Sequence, residues 1–322
     1  MFYIFSFLVN NNYGDKVKIR MGYACICNAL DSTSSSNYTY TEYLKNNDLD
    51  KLNKVIISNL EALEEIIDYN IKNNIHFYRM SSKIIPLATK DDVIFDYIDK
   101  YRDYYDRIGK KIESSNMRVD FHPDQFAVLN STKQEVVDNT IKILDYHYKL
   151  LNALGVEEKA LVLHIGGNTF GKANSIRRFI NSFNKLPTYL KETIVIENDD
   201  KIFNVDDCIK ISREIRTPIV LDYHHHNCNK SDLNMKEVID SWGGRIPKMH
   251  FSSPRNKKDF RSHSEYVSSD DFISFIDILK KYDRDIDIMI EAKAKDDALF
   301  RLVRELKYKT DYKFIDDTSF DV

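Results

Sequence analysis

The sequence predicts an α/β fold, a TIM (β/α)8 barrel with a metal site at the C-terminal face of its strands, and three observations lead there. The 322 residues are 43% hydrophobic, enough to bury a sizeable core in one domain, as α/β barrels of this length do. Eight short β-branched and aromatic runs alternate with longer amphipathic stretches, the pattern of βα units around a parallel sheet. Histidines and carboxylates recur at the ends of those runs.

The first run, KIRMGYAC, ends near Cys25, and the polar stretch DSTSSSNYT behind it reads as a long first βα loop. IHFYRMSS follows near Ser82, MRVDFHP at His122, ALVLHIGG at His164 and TIVIEND at Glu197. TPIVLDYH at Asp222, IPKMHFSS at His250 and IDIMIEAK at Glu291 complete the set. Between them, apolar residues return every three or four positions over 52–73, 93–115, 136–154, 205–216 and 271–282. Each stretch is long enough for a right-handed crossover helix. We divide the chain into an N-terminal extension over 1–17, one barrel domain over 18–310 and a C-terminal tail over 311–322.

The formal net charge of -3 excludes a globally basic nucleic-acid binder, so contact with DNA must come from local basic patches. Cys25, Cys27, Cys208 and Cys228 form neither a disulfide framework nor a C-x-x-C zinc knuckle, which fits a reducing, cytoplasmic setting. The opening MFYIFSFLV is too short to span a bilayer and lacks the basic start of a secretory signal. No membrane partner is expected.

His122, His164, Glu197, Asp222, His225, His250 and Glu291 fall at or just past the C-terminal ends of strands three to eight. In a TIM barrel those ends share one face, so residues distant in sequence converge on one pocket. His263, in the loop after the seventh strand, is within reach of it. His and carboxylate ligands without Cys suit divalent ions such as Zn or Mn, and their number exceeds what one four-coordinate ion needs. Two or three ions are therefore expected, with Glu197 as a bridging carboxylate of the kind two-metal phosphodiester chemistry uses. His225 is chosen from the run His224–His226 for its spacing from Asp222, while His76 and His147 read as structural.

The strings RVDFHPDQF, LVLHIGG, IVIENDD, VLDYHHH, KMHFSSPR, RSHSEYV and IMIEAKAKD, with GYAC near the start, resemble the UV damage endonucleases, relatives of endonuclease IV and of xylose isomerase-like barrels. The likeness runs from about Arg20 to about Leu302. It implies a cluster of up to three metals, usually manganese, on His122, His164, Glu197, Asp222, His225, His250, His263 and Glu291. It also implies hydrolysis of the phosphodiester immediately 5′ to a lesion in damaged double-stranded DNA, with no separate side-chain base. Glu197, Glu291 and Lys248 are the expected catalytic residues. Lys248 sits two residues before His250, hence on the same face of its strand, at a position the family associates with a modified lysine.

Gln125 and Phe126 match the family's probing pair, with Phe126 standing where many relatives carry Tyr, and Tyr23 matches a lesion-side aromatic. Such groups enter a distorted duplex and stack where bases are displaced. Phosphate contacts are expected from Lys172, Arg177 and Arg178 after the fourth strand and from Arg255, Lys257, Lys258 and Arg261 in the loop RNKKDFR. An apurinic endonuclease or a sugar isomerase on the same barrel, and a non-catalytic damage binder with structural metals, are the competing readings. A monomer is expected.

Overall fold

The computed structural model describes residues 16–322; of the extension read at 1–17, residues 1–15 lie outside the described residues. Eight parallel strands form the sheet: β1 (Lys18–Ala24), β2 (Phe77–Arg79), β3 (Arg118–Asp120), β4 (Leu161–His164), β5 (Ile194–Glu197), β6 (Ile219–Asp222), β7 (Lys248–Phe251) and β8 (Ile286–Ile290). Their order, β3-β2-β1-β8-β7-β6-β5-β4, closes through a single parallel bridge between Phe121 and Leu161. The fold is the expected TIM barrel. The eight runs read from the sequence are its eight strands, because strands covered on both faces carry near-continuous apolar residues.

Helices pack outside the sheet, and most boundaries agree with the apolar periodicity to within three residues. The stretch 93–115 is the exception: its helix is Arg102–Ser114, preceded by a single 3-10 turn at Asp99–Tyr101. The Asp96 carboxylate accepts from the backbone of Ile98 and Asp99 at 3.1 and 2.9 Å, a local turn that competes with an earlier helix start. The polar loop after β1 ends where Thr39 and Glu42 form a capping box for the helix Tyr40–Asn46.

Residues 311–322, read from the sequence as a tail, form a hairpin of β9 (Lys313–Phe314) and β10 (Ser319–Asp321). Strand β10 pairs antiparallel with β1, Lys18 opposite Asp321 and Arg20 opposite Ser319, and Phe320 is buried in the main core. Val17 is buried there too, and its backbone exchanges hydrogen bonds with Val322.

The barrel interior holds charge in layers. Near the N-terminal end of the strands, Arg20 grips Asp287 through two hydrogen bonds of 2.6 and 2.8 Å, and Arg118 reaches the same carboxylate at 3.0 Å. Above them Lys248 and Asp120, both fully buried, form an ion pair. Alternation along β3, β7 and β8 puts Asp120, Lys248 and Asp287 on the faces that two residues later carry His122, His250 and Met289. Aliphatic side chains fill most of the space between sheet and helices instead.

His147 marks the limit of what that outer layer accepts. It sits fully buried on the helix Gln134–Ala153, stacked on Phe121 with centroids 4.6 Å apart and neither ring nitrogen partnered. Burial pushes it down to about 3. Its folded pKa lies below its unfolded value, so stability is complete above about pH 6.5 and declines as pH falls from there towards 3. His147→Leu should flatten that decline. Between pH 7 and 5 the wild type should lose about 2 kcal/mol more than the variant, measured by urea unfolding; parallel pH profiles would refute the assignment.

Candidate metal centre

Register places the candidate ligands at one level. His164 pairs with Glu197 across β4–β5, and Asp222 with His250 across β6–β7. Asn198, just past β5, donates to the Asp222 carbonyl at 3.0 Å and accepts from its amide at 2.9 Å. This clamp fixes the spacing of the strands that end in Glu197 and Asp222. Behind His164 the backbone turns at Gly166, φ +110°, where an added Cβ would fall 2.4 Å from the Asn130 side chain; Asn130 in turn holds Gly167 from both sides.

All eight residues come together. They form three adjoining groups, His122–His164–Glu197, Asp222–His225–His263 and Glu197–Asp222–His250–Glu291, in each of which the ligand atoms lie within 4.8 Å of one another. Glu197 belongs to two groups and Asp222 to two. One Glu197 oxygen lies 2.8 Å from His122 Nε2 and 3.3 Å from His164 Nε2, and the other 2.5 Å from His250 Nδ1. His250 Nδ1 is also 3.2 Å from Glu291, whose second oxygen lies 3.9 Å from His263. His225 Nδ1 lies 3.7 Å from Asp222.

Two buried atoms of the cluster lack a partner: Asp222 Oδ2 and His164 Nδ1. An orphaned buried carboxylate oxygen is costly in a sealed interior and is satisfied by a cation, so the donor set fits divalent ions. The electrostatics agree. Burial opposes ionisation of Glu197, but His250, His164 and His122 outweigh it and hold the carboxyl well below its usual range. Burial, reinforced by Glu291 and Glu197, pushes Asp222 up to about 7. For His225 burial acts against the charge, yet Asp222, Glu197 and Glu291 carry it up to about 9. Protons therefore compete with cations at Asp222 and His225.

Two residues that sequence reasoning passed over complete the cluster from below. Arg79, at the C-terminal end of β2, donates to His250 Nε2 at 2.8 Å, and its Nη2 lies 2.7 Å from Glu291. Asp120 pairs with Lys248, so Lys248 faces a carboxylate outside the ligand groups; burial takes its ammonium down to about 8 against the pull of Asp120. Each carried a signal: Asp120 stands two positions before His122, and Arg79 ends β2, one of the two strands that carry no candidate ligand.

Gln125 and Phe126 occupy an exposed turn beyond His122, with the Phe126 ring 79% exposed. Phe170, in the loop after β4, is 76% exposed at φ +62°, a second aromatic on this face that the sequence did not single out. The loop 254–263 is drawn into a narrow hairpin by Arg255 N–H donating to Ser262 at 2.7 Å, leaving Arg255, Lys257, Lys258 and Arg261 exposed. Arg255 and Arg261 lie 3.5 Å from Asp259 and Asp200. Arg177 is exposed; Lys172 pairs with Asp207 at 2.7 Å. Arg178 is spent on the carbonyls of Asn130 and Thr169. Tyr23 is a correction. It was expected to contact DNA, but it is fully buried, with its hydroxyl donating to Asn70 at 2.8 Å.

The model of the family described as UV-endonuclease UvdE matches residues 19–320. A UV DNA damage endonuclease of Bacillus cereus is 39% identical over 299 residues, 89% of this chain and 94% of its own length. The crystal structure of SacUVDE superposes with a TM-score of 0.83 at 32% identity, covering 90% of this chain and 98% of that one. Endonuclease IV from Thermus thermophilus, at 11% identity and TM-score 0.57, shares the fold.

The buried pair beneath the cluster gives a stability test. Lys248→Met strands Asp120 in the barrel and should cost about 3 to 5 kcal/mol, whereas Lys248→Met with Asp120→Leu should recover most of the loss. Denaturant midpoints read both. A single variant as stable as the wild type would show that the pair contributes nothing.

Proposed function

The chain belongs to the UV-endonuclease UvdE family, and from that premise we propose that it nicks damaged duplex DNA immediately 5′ to UV photoproducts and other lesions, leaving a 3′-hydroxyl from which repair proceeds. The observation that carries the reading is the sharing of Glu197 and Asp222 among three ligand groups, on the face where Phe126 and the basic hairpin stand exposed. Among the described residues no helix is long and apolar enough to cross a membrane. The enzyme acts on DNA inside the cell, as a monomer.

His122, His164, Glu197, Asp222, His225, His250, His263 and Glu291 would hold two or three divalent ions, Mn or Zn. When bound, such ions polarise the phosphate and the attacking water and neutralise the charge that develops on the leaving oxygen. The chain's own residues do the rest. Glu197 keeps the two histidine-bearing halves of the centre in register, since each of its oxygens faces a different group. Arg79 brings positive charge beneath Glu291 and holds it ionised and in place: burial opposes its charge, but Arg79 and His250 outweigh it and keep it well below the usual range, while Lys248 pairs with Asp120 below. Phe126 and Gln125 enter the distorted duplex, and Arg177, Arg255, Lys257 and Arg261 set the phosphate backbone against the face.

End-labelled duplexes bearing UV photoproducts, an abasic site or no damage, assayed with Mn, with Zn and with chelator, test the reading. A metal-dependent nick just 5′ of the photoproduct is expected; cleavage confined to the abasic site would replace it with an apurinic endonuclease, and no cleavage would remove the activity. Glu197→Gln should abolish nicking while damaged DNA still binds. Phe126→Ala should weaken binding of damaged duplex by about 1 to 3 kcal/mol, the range for a base-stacking aromatic, and an unchanged Kd would exclude Phe126 from the interface.

A further inference from the structure

A cavity of about 350 Å³ opens at the opposite end of the barrel, where the strands begin, and none of the candidate ligands lines it. It lies where the sheet is least joined. Strands β3 and β4 are connected by the single bridge between Phe121 and Leu161; Arg118 and Val119 of β3 line the cavity on one side of that seam, and Val156, Glu157 and Glu158, just ahead of β4, line it on the other. Ile112, Met117, Leu154 and Ile246 add an aliphatic wall. The helices Arg102–Ser114 and Gln134–Ala153 close tightly behind it, since a Cβ added at Gly109 would fall 2.3 Å from the Leu154 carbonyl oxygen.

Charge of both signs faces this space. Arg20 and Arg118 line it, and both grip the fully buried Asp287, so two guanidinium groups share one carboxylate. The Arg118 side chain is only 9% exposed; its Nη2 has Glu158 at 3.4 Å, and its Nε is buried without a hydrogen-bond partner. An arginine with donors to spare in such a place favours an added carboxylate. The mouth has the opposite sign. Glu113, Glu157 and Glu158 stand exposed around it, and the two helices end there, which adds the partial negative charge of their C-termini.

We propose that this cavity binds a free α-amino acid with an apolar side chain, its carboxylate on the arginines, its ammonium among the glutamates and its side chain against the aliphatic wall. Charge selects this class over others. A bare carboxylate or a phosphate would meet three glutamates, a bare amine would meet two arginines, and a neutral apolar molecule would leave the spare Arg118 donors unanswered. A zwitterion gains at both ends. The volume, about 350 Å³, is at the lower end of the roughly 300 to 1,000 Å³ of small-molecule pockets, which suits a ligand of this size. Bound there, the amino acid would touch β3 on one side and the segment ahead of β4 on the other, and so brace the seam that backbone hydrogen bonds leave open. The site is remote from the candidate ligands and independent of the nuclease chemistry.

Isothermal titration of the full chain tests the site with L-leucine, L-methionine and L-valine, and with isocaproate and isoamylamine, which are leucine without its ammonium and without its carboxylate. At least one of the three amino acids should bind one to one. Each truncated analogue should bind about tenfold more weakly than L-leucine, the loss of one charge-assisted contact. Glu158→Gln should weaken amino-acid binding by a similar factor; Glu158 is exposed, so this exchange leaves the fold intact. Val156→Trp should fill the cavity and abolish binding. Hydrogen exchange supplies the location: the ligand should slow the amides of β3 and β4 on either side of the seam and leave β6 and β7 unchanged. No binding by any of the three amino acids would overturn the site, as would binding that survives both substitutions undiminished. An analogue that binds as tightly as L-leucine would overturn the zwitterion.

Discussion

Charge buried inside a closed barrel must be buried beside its opposite, and that requirement organises this molecule from one end of the barrel to the other. Arg20 and Arg118 flank Asp287; Lys248 and Arg79 flank Asp120; Arg79 then reaches Glu291 and His250 at the level of the ligands. A carboxylate or ammonium alone in such a place would be neutralised instead of tolerated. TIM barrels ordinarily fill this space with branched aliphatic side chains. Here the interior is a column of salt bridges, and the metal groups form its top layer, where the column still has carboxylate oxygens to spare.

That arrangement explains why the centre needs so little from its loops. Six of the eight candidate ligands stand on β4 to β7 or just after β3 and β8, and strand register with the Asn198 clamp fixes their spacing. The other two are restrained as well: His225 sits on the helix Tyr223–Cys228, its backbone amide donating to Asp222 at 2.7 Å, and His263 stands in a loop held by the bridge that pairs it with Pro254. The groups that would touch DNA have the opposite character. Phe126, Phe170 and the hairpin 254–263 project from loops, where a duplex of variable shape can be met without disturbing the ligands.

The eight strands were legible because β-branched runs buried on both sides leave a continuous apolar signature, and the ligands because each follows such a run. Arg79 and Asp120 were not, since a charge inside a strand reads as surface until the barrel's inner face is known. Tyr23 failed for a related reason: a likeness between families carries residue identity but not which side of the sheet a ring faces, and Asn70, the partner that holds it inward, lies 47 positions away. The hairpin at 311–322 was hidden because its two strands are very short and acquire their meaning only against β1. Phe170 has no pattern in one dimension at all.

Strand β1 has consequences for how the chain is made. Its neighbours in the sheet are β2, produced soon after it, and then β8 and β10, of which the last sets Asp321 opposite Lys18. On a ribosome, β1 can pair with β2 early, but its other edge and its outer end stay unpaired until β8 and β10 have emerged, because those partners are far from it in sequence. Non-local pairing of this kind delays closure and leaves a sticky edge waiting. The basic residues of β1's outer end, Lys18 and Arg20, the latter destined for Asp287, would keep that edge from meeting a neighbouring nascent chain before its own sequence arrives.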